Sequence, residues 1–332
     1  MKIVIDSGIP FIRGVFEPFA EVVYAEGRAI CREQVLDADA IVVRTRTKCD
    51  KDLLDGSKVR LVVTATIGTD HIDLEYCHLH GIVVENAAGC NARGVLQWVS
   101  AVLTHISERR GVAPSEVTLG IVGVGNVGSL VMEYATAWGF KTICCDPPRE
   151  EREHLGFVTI EELFAKADVV TLHTPLAPDT FHLVGERLLK SWQGTEKILI
   201  NASRGEVVDT AALLHSGVEC AIDVWEWEPN ISPKLLEKAF ISTPHIAGYS
   251  LQGKANATAM AVAAVARNLG LPLEDWYPDQ VSPSRPSPIS WRELSTTITE
   301  RYNILAESAI LKQHPEYFES LRNGYAYREE YF

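Results

Sequence analysis

Along the first ninety residues, short apolar runs alternate with stretches whose apolar positions repeat at helical spacing. The runs Ile3–Ile5, Val22–Ala25, Ala40–Val43, Leu61–Thr64 and Ile82–Glu85 predict β-strands. Helices are expected near Phe11–Phe19, Arg32–Leu36, Lys51–Leu54 and Asp73–His80. Strands that are apolar throughout, alternating with helices, predict a parallel sheet covered on both faces. Ala92–Arg110 is long, mostly apolar and free of proline, so it reads as a buried helix leading to a second unit.

The alternation then resumes. Leu119–Val122, Lys141–Asp146, Ala167–His173, Lys197–Asn201, Val218–Asp223 and Phe240–Ser242 give about six further strands. The Ala-rich stretch Ser250–Leu269 predicts a helix long enough to return to the first unit, which makes that unit discontinuous. Pro272, Pro278, Pro283, Pro286 and Pro288 then predict an extended tether. In the tail, one helix is expected over Glu293–Lys312, among many aromatics. A segment this small cannot bury a core of its own, so it is expected to pack on the main body or on a second subunit. The expected division is residues 1–91 with 254–280, residues 92–253, and a C-terminal segment 281–332. The fold class is α/β, with two parallel-sheet units.

One stretch carries a chemical signal. The run Leu119–Val122 meets glycines at 123, 125 and 128, a helical pattern follows, and the next strand ends on Asp146. This is the order of a Rossmann-like βαβ dinucleotide site. Gly123 serves the tight turn, Gly125 the approach of a pyrophosphate, and Gly128 the packing of helix on strand. The helix N-terminus offers free N–H groups to the phosphates. Asp146 lies eighteen residues after Gly128, near the usual spacing of about 20. Its carboxylate suits ribose hydroxyls and repels a 2′-phosphate, which favours NAD over NADP; Arg149 close by argues the other way. Residues 1–91 carry no such fingerprint and are not expected to hold the dinucleotide.

The formal net charge of −13 argues against nucleic acid or an anionic membrane as partner. No apolar run approaches the span of about 18 residues that a membrane helix needs. No leader is expected ahead of the strand-like Lys2–Asp6, and the seven scattered cysteines suggest a reducing cytoplasm. Cys77 and His80 share a predicted helix face, but no zinc-like pairing of cysteines occurs, and no metal is expected.

Three polar groups fall where the later strands end: Arg204 in Asn201–Gly205, Glu228 in Asp223–Pro229, and His245 in Pro244–Tyr249. Ligands of open α/β sheets sit at those carboxyl ends. Oxidising a hydroxy acid needs a base working near neutral pH, for which His245 is suited. A carboxylate such as Glu228 would steady the imidazolium. The planar guanidinium of Arg204 would hold a substrate carboxylate through two hydrogen bonds. Gly205 would let that loop bend toward the ligand. By chemistry alone Glu226 rivals Glu228, and His173, at a strand end, rivals His245.

The segments Gly123–Gly128, Asn201–Gly205, Asp223–Pro229 and Thr243–Tyr249, taken together, resemble the signatures of the D-isomer-specific 2-hydroxyacid dehydrogenases. The resemblance covers nearly residues 1–270. It implies two Rossmann-like or flavodoxin-like domains with a cleft between them and a C-terminal segment for a homodimer. It implies catalytic roles for Arg204, Glu228 and His245, the last as acid/base. Cofactor contacts are implied for Asn126, Val127, Asp146, Thr174, Ala202, Ser203, Arg204, Asp223 and Gly248. Substrate contacts are implied for Thr45, Thr66 and Tyr249. Arg44, Arg46 and Lys48 around Thr45 read either as a solvated strand end or as a cationic collar for a substrate phosphate. The reaction implied is NAD-dependent oxidation of a small phosphorylated hydroxy acid. Other acids, such as glycerate or 3-phosphoglycerate, stand as alternatives, as does an NAD(H)-sensing binding protein without turnover.

Overall fold

The computed structural model describes residues 1–154, 156–194 and 196–332. The chain forms two compact units, residues 1–91 with 250–284 and residues 92–249 with 285–332.

In the first unit, β1 (Lys2–Asp6), β2 (Glu21–Ala25), β3 (Ala40–Val43), β4 (Leu61–Thr64) and β5 (Val83–Asn86) form a parallel sheet in the order β2-β1-β3-β4-β5. The strands are apolar throughout because both faces are covered. Ile3, Ile5, Val42 and Val63 face one cluster, and Val4, Ile41, Val43 and Val62 face the other. The helix Leu251–Leu269 supplies Ala261, Val262, Ala264 and Val265 to the first cluster.

Residues 11–19 differ from expectation, being turns and not a helix. Ile12, Val15 and Phe16 are buried, which accounts for the helical spacing. The backbone cannot follow it, because Phe11 and Gly14 both have positive φ, 62° and 85°. Nor is the proline-rich stretch a loose tether. Leu271, Leu273 and Trp276 pack on the first unit, and the Tyr277 hydroxyl donates to Asn256 at 3.1 Å. Past the boundary, the Ser287 and Ile289 carbonyls accept from Tyr134 and Trp138 of the second unit. Aromatic anchors outweigh the extended bias of the prolines.

In the second unit, β6 (Thr118–Val122), β7 (Lys141–Cys145), β8 (Val169–Leu172), β9 (Ile198–Asn201), β10 (Glu219–Ile222) and β11 (Ile241–Ser242) form a parallel sheet ordered β11-β10-β9-β8-β6-β7. Successive residues bury on opposite faces. Leu119, Ile121, Ile198 and Ile200 pack with the helices Ala92–Arg110 and Asn126–Trp138, while Val122, Leu172, Leu199 and Ile222 meet Phe164, Leu188, Trp192 and Leu235. Winding reverses between β6 and β8, and such a reversal opens a crevice at the carboxyl ends of the strands.

The tail completes this unit's core. The expected single helix is two, Trp291–Arg301 and Ile304–Gln313. Between them Tyr302 is extended and buried, and the Asn303 side chain caps the second helix by accepting from Ala306 N at 3.0 Å. Leu294, Ile298, Tyr302, Ile304 and Phe332 join the cluster of helix Ala92–Arg110, and Leu311 and Phe318 join the opposite one. Ser308 accepts from Ser242 N at 2.9 Å, so the tail also satisfies a donor of the edge strand β11. Leu294 is fully buried, and Leu294→Ala is expected to destabilise the protein by about 2–5 kcal/mol. Urea unfolding checks this; a loss below about 1 kcal/mol would show that the tail does not share the core.

Candidate active site

Because every strand of the second sheet is parallel, the loops following them emerge along one edge. After β6 the chain turns at Gly123, where φ is +83° and a Cβ would lie 2.8 Å from the His173 backbone. Gly128 is demanded by contact: a Cβ there would sit 2.0 Å from the Gly123 carbonyl oxygen. A Cβ on Gly125 would meet nothing within 4 Å. Gly125 caps the helix Asn126–Trp138, and the N–H groups of its first turn, including Val127, open there. This open approach to a helix N-terminus fits a pyrophosphate.

Asp146 ends β7 and spends its carboxylate on the loop. One oxygen accepts from Val124 N at 2.7 Å, and the other caps the following helix through Arg149 N at 3.0 Å. Arg149 is bound to Glu153 through two contacts, at 2.8 and 2.6 Å, and donates to the Val124 carbonyl. With its charge matched by Glu153, Arg149 is poorly placed to accept a 2′-phosphate, which meets the argument against NAD. Thr174, beyond β8, has a buried hydroxyl with no hydrogen-bond partner among the described residues. It lies beside Gly123, its methyl 3.0 Å from where a Cβ would stand. An unmet hydroxyl next to the glycine turn is what a bound nucleotide would satisfy.

After β9, Asn201 shapes its own loop, accepting from Ser203 N and Oγ and donating to the Arg204 carbonyl. Ala202 and Arg204 are half-buried there. Gly205 serves a different end from the expected bend. A Cβ would lie 2.0 Å from the Trp225 carbonyl carbon, so glycine is needed to press the Arg204 loop onto the loop that carries Glu228.

Asp223, at the end of β10, is fully buried and organises the next loop. Its Oδ1 accepts from Thr243 Oγ1 at 2.6 Å and Ile246 N at 2.8 Å, and its Oδ2 from Ala247 N at 3.0 Å. Its carbonyl accepts from His245 N at 2.8 Å. Burial pushes its carboxyl above the ordinary range, against the pull of His245 and these donors. In this structure the carboxylate serves the 243–247 loop, with Gly248 and Tyr249 following.

His245 is held at a φ of +57°, and its Nδ1 lies 2.8 Å from Glu228 Oε2. Glu228 Oε1 accepts from Trp225 N at 2.9 Å. Burial opposes ionisation of Glu228, but the His245 charge, the bonds from His245 and Trp225, and Arg322 outweigh it and hold the carboxyl below its ordinary value. Glu226, the rival acid, turns elsewhere, to His182 at 2.8 Å and Thr210 N at 2.9 Å. His173, the rival base, contacts Thr171 Oγ1 at 3.0 Å, and burial pushes its pKa down to about 3, so it stays neutral.

In the first unit, Arg44 binds the buried Asp6 at 2.9 Å and Lys48 binds Asp50 at 2.6 Å. Two of the three cations of the expected collar, Arg44 and Lys48, therefore already face a carboxylate. Thr45 is exposed beside the half-buried Arg46, and Thr66 Oγ1 lies 2.6 Å from Thr64 Oγ1. Cys77 is buried in the core, and His80 stacks on Tyr76 and bonds its carbonyl through Nδ1. Among the described residues no cluster of three metal-capable side chains occurs.

Two tail residues at the site carry no sequence motif. Arg322 lies 3.6 Å from Glu228 Oε2 and donates to the Tyr249 hydroxyl at 3.2 Å. Arg328 is buried and donates to the carbonyls of Gly94, Ile246, Ala247 and Tyr249. Only their occurrence as basic residues in an aromatic-rich segment could have drawn notice.

Residues 92–247 match the family model of the D-isomer specific 2-hydroxyacid dehydrogenase NAD binding domain. An erythronate-4-phosphate dehydrogenase of Bacteroides thetaiotaomicron is 44% identical, with 99% of this chain and 97% of the relative covered. A solved structure of NAD+-bound 3-phosphoglycerate dehydrogenase from Entamoeba histolytica aligns with a TM-score of 0.67 at 29% identity, covering 81% of this chain and 96% of that one. The D-lactate dehydrogenase of Aquifex aeolicus, solved with NAD and lactic acid, gives 0.64 at 25% identity, over 81% and 96%. With a glycine turn, an imidazole–carboxylate pair and a loop arginine on one sheet edge, and with relatives this similar along nearly its whole length, the chain belongs to the D-isomer-specific 2-hydroxyacid dehydrogenases.

Proposed function

We propose that this protein oxidises 4-phospho-D-erythronate to (R)-3-hydroxy-2-oxo-4-phosphooxybutanoate, with NAD+ as oxidant, in the formation of pyridoxal 5′-phosphate. The observation that carries the reading is the 2.8 Å contact of His245 Nδ1 with Glu228 Oε2, beside the Arg204 loop and on the same sheet edge as the glycine turn. The substrate is taken from the relatives, named erythronate-4-phosphate dehydrogenases in Bacteroides thetaiotaomicron and Pectobacterium atrosepticum.

NAD+, when bound, supplies the acceptor for the hydride leaving C2. The open helix N-terminus at Gly125 and the unmet Thr174 hydroxyl would hold it. Asp146 would take the ribose, with Ala202, Ser203, Asp223 and Gly248 as further contacts. His245 gives its Nδ1–H to Glu228, which leaves Nε2 to take the proton of the C2 hydroxyl. The imidazolium so formed keeps an ionised partner, because Glu228 is already a carboxylate at neutral pH. Arg204 would hold the substrate carboxylate as a fork. Thr45, Thr66 and Tyr249 enter this reading as substrate contacts on the resemblance alone, and Arg44 and Arg46 on their charge beside Thr45. The reading includes a homodimer through residues 281–332, supported by the exposed Leu305, Ile310 and Tyr317 of the tail. It also places the protein in the cytoplasm, in keeping with seven cysteines that form no disulfide among the described residues. No described helix is long and apolar enough to cross a membrane.

Turnover of 4-phosphoerythronate should exceed that of glycerate and 3-phosphoglycerate, followed as NADH formation. If phosphoerythronate is the poorest of the three, the substrate is wrong. His245→Ala should lower kcat by about two to four powers of ten while NADH still binds; unchanged turnover removes His245 from the chemistry. Since Glu228 ionises more readily folded than unfolded, its pairing stabilises the protein above the ordinary value of 4.5 and is lost as pH falls below it. Glu228→Gln should therefore lower stability at neutral pH, and its denaturation midpoint should converge with that of wild type on acidification. Curves that stay parallel would show that the pair does not contribute.

A further inference from the structure

The tail places two arginines against the catalytic loops, with opposite fates. Arg328 spends its guanidinium on four backbone carbonyls and lies over the Tyr302 ring. Arg322, on the short helix Phe318–Asn323, has one hydrogen bond among the described residues, from Nε to the Tyr249 hydroxyl. Its Nη1 stands 3.6 Å from Glu228 Oε2, which is attraction without a hydrogen bond, and Nη2 has no acceptor among the described residues. The side chain is 27% exposed. A guanidinium carries five N–H donors. The other four are not shut away from solvent, so they stay open to an incoming anion, with which a guanidinium forms charge-assisted hydrogen bonds.

Its position restricts which anion. The carboxylate oxygen nearest to Arg322 is the one that His245 grips, so the guanidinium is two residues from the nitrogen that takes the substrate proton. In a four-carbon acid oxidised at C2, with the carboxylate on Arg204, a phosphate on C4 lies two carbons beyond the reacting centre. It needs a cation of its own beside the His–Glu pair.

We infer that Arg322 is the specificity-determining residue that binds the substrate's phosphate through its unspent N–H fork, with Tyr249 orienting it. The inference rests on the proposed oxidation of a phosphorylated hydroxy acid. Arg322 thereby gives the tail a part in substrate choice.

The test compares KM for 4-phosphoerythronate and for unphosphorylated erythronate in the full-length protein with NAD+, alongside NADH binding as a check on folding. Arg322→Gln should raise KM for the phosphorylated acid about ten- to hundredfold, and at least about tenfold more than for erythronate. Arg322→Lys, which keeps the charge and loses the fork, should fall between; if the Gln variant does not fold, Lys carries the test through a selective KM rise. Equal changes on both acids in the variants, while wild type prefers the phosphorylated one, overturn the inference and leave the proposed function standing. So does a kcat loss with a shifted pH profile and an unaltered KM ratio, which would mean that Arg322 acts only through Glu228. A wild type with no preference between the two acids overturns both.

Discussion

The buried carboxylate of Asp223 is the constraint on which this site depends. It accepts from Thr243, Ile246 and Ala247, and its own carbonyl accepts from His245 N. These bonds fold the chain around residue 245 and keep His245 at a positive φ, a conformation that costs a histidine about 1–3 kcal/mol. Trp98 Nε1 donates to Thr243 Oγ1 and Trp225 Nε1 to the Thr243 carbonyl, which ties the same loop into both faces of the sheet. His245 is thus placed by a network that is buried and cooperative, and the cost of burying Asp223 is offset by its donors.

From that loop the rest follows outward. Glu228 reaches His245 because Trp225 N fixes its other oxygen and because Gly205 lets the Arg204 loop close onto Trp225. Arg328 gathers the carbonyls of the His245 loop whose N–H groups Asp223 binds, so the tail and Asp223 hold the same loop. The tail is built for this by its hydrophobic seating on helix Ala92–Arg110 and its bond to the edge strand β11. Core packing and the geometry of the His245 loop are linked through one short segment near the C-terminus.

At the nucleotide turn the same economy holds with other groups. Asp146 and Arg149 both bind the Val124 backbone, so the residues that would read the ribose also stiffen the turn that cradles the phosphates. Pairing Arg149 with Glu153 settles locally what the sequence left in tension, a cation beside an acid chosen for NAD.

The sequence determined the parts governed by near neighbours. Strand positions were legible because fully buried parallel strands are continuous apolar runs, and Ala40–Val43 and Leu61–Thr64 begin and end where the pattern does. The glycine turn was legible because Gly123 and Gly128 answer steric demands that no other residue meets. Residues 11–19 misled because burial at 12, 15 and 16 imitates a helix whatever the backbone does between. Chemistry alone left Glu226 and Glu228 equal, and His173 and His245 as rivals. The tertiary structure gives them different surroundings: Glu228 meets His245, Glu226 meets His182, and His173 is kept from water. The tail's part lay wholly in the tertiary structure. Arg322 and Arg328 stand more than seventy residues from the loop they serve, and no local pattern encodes a contact made across that distance.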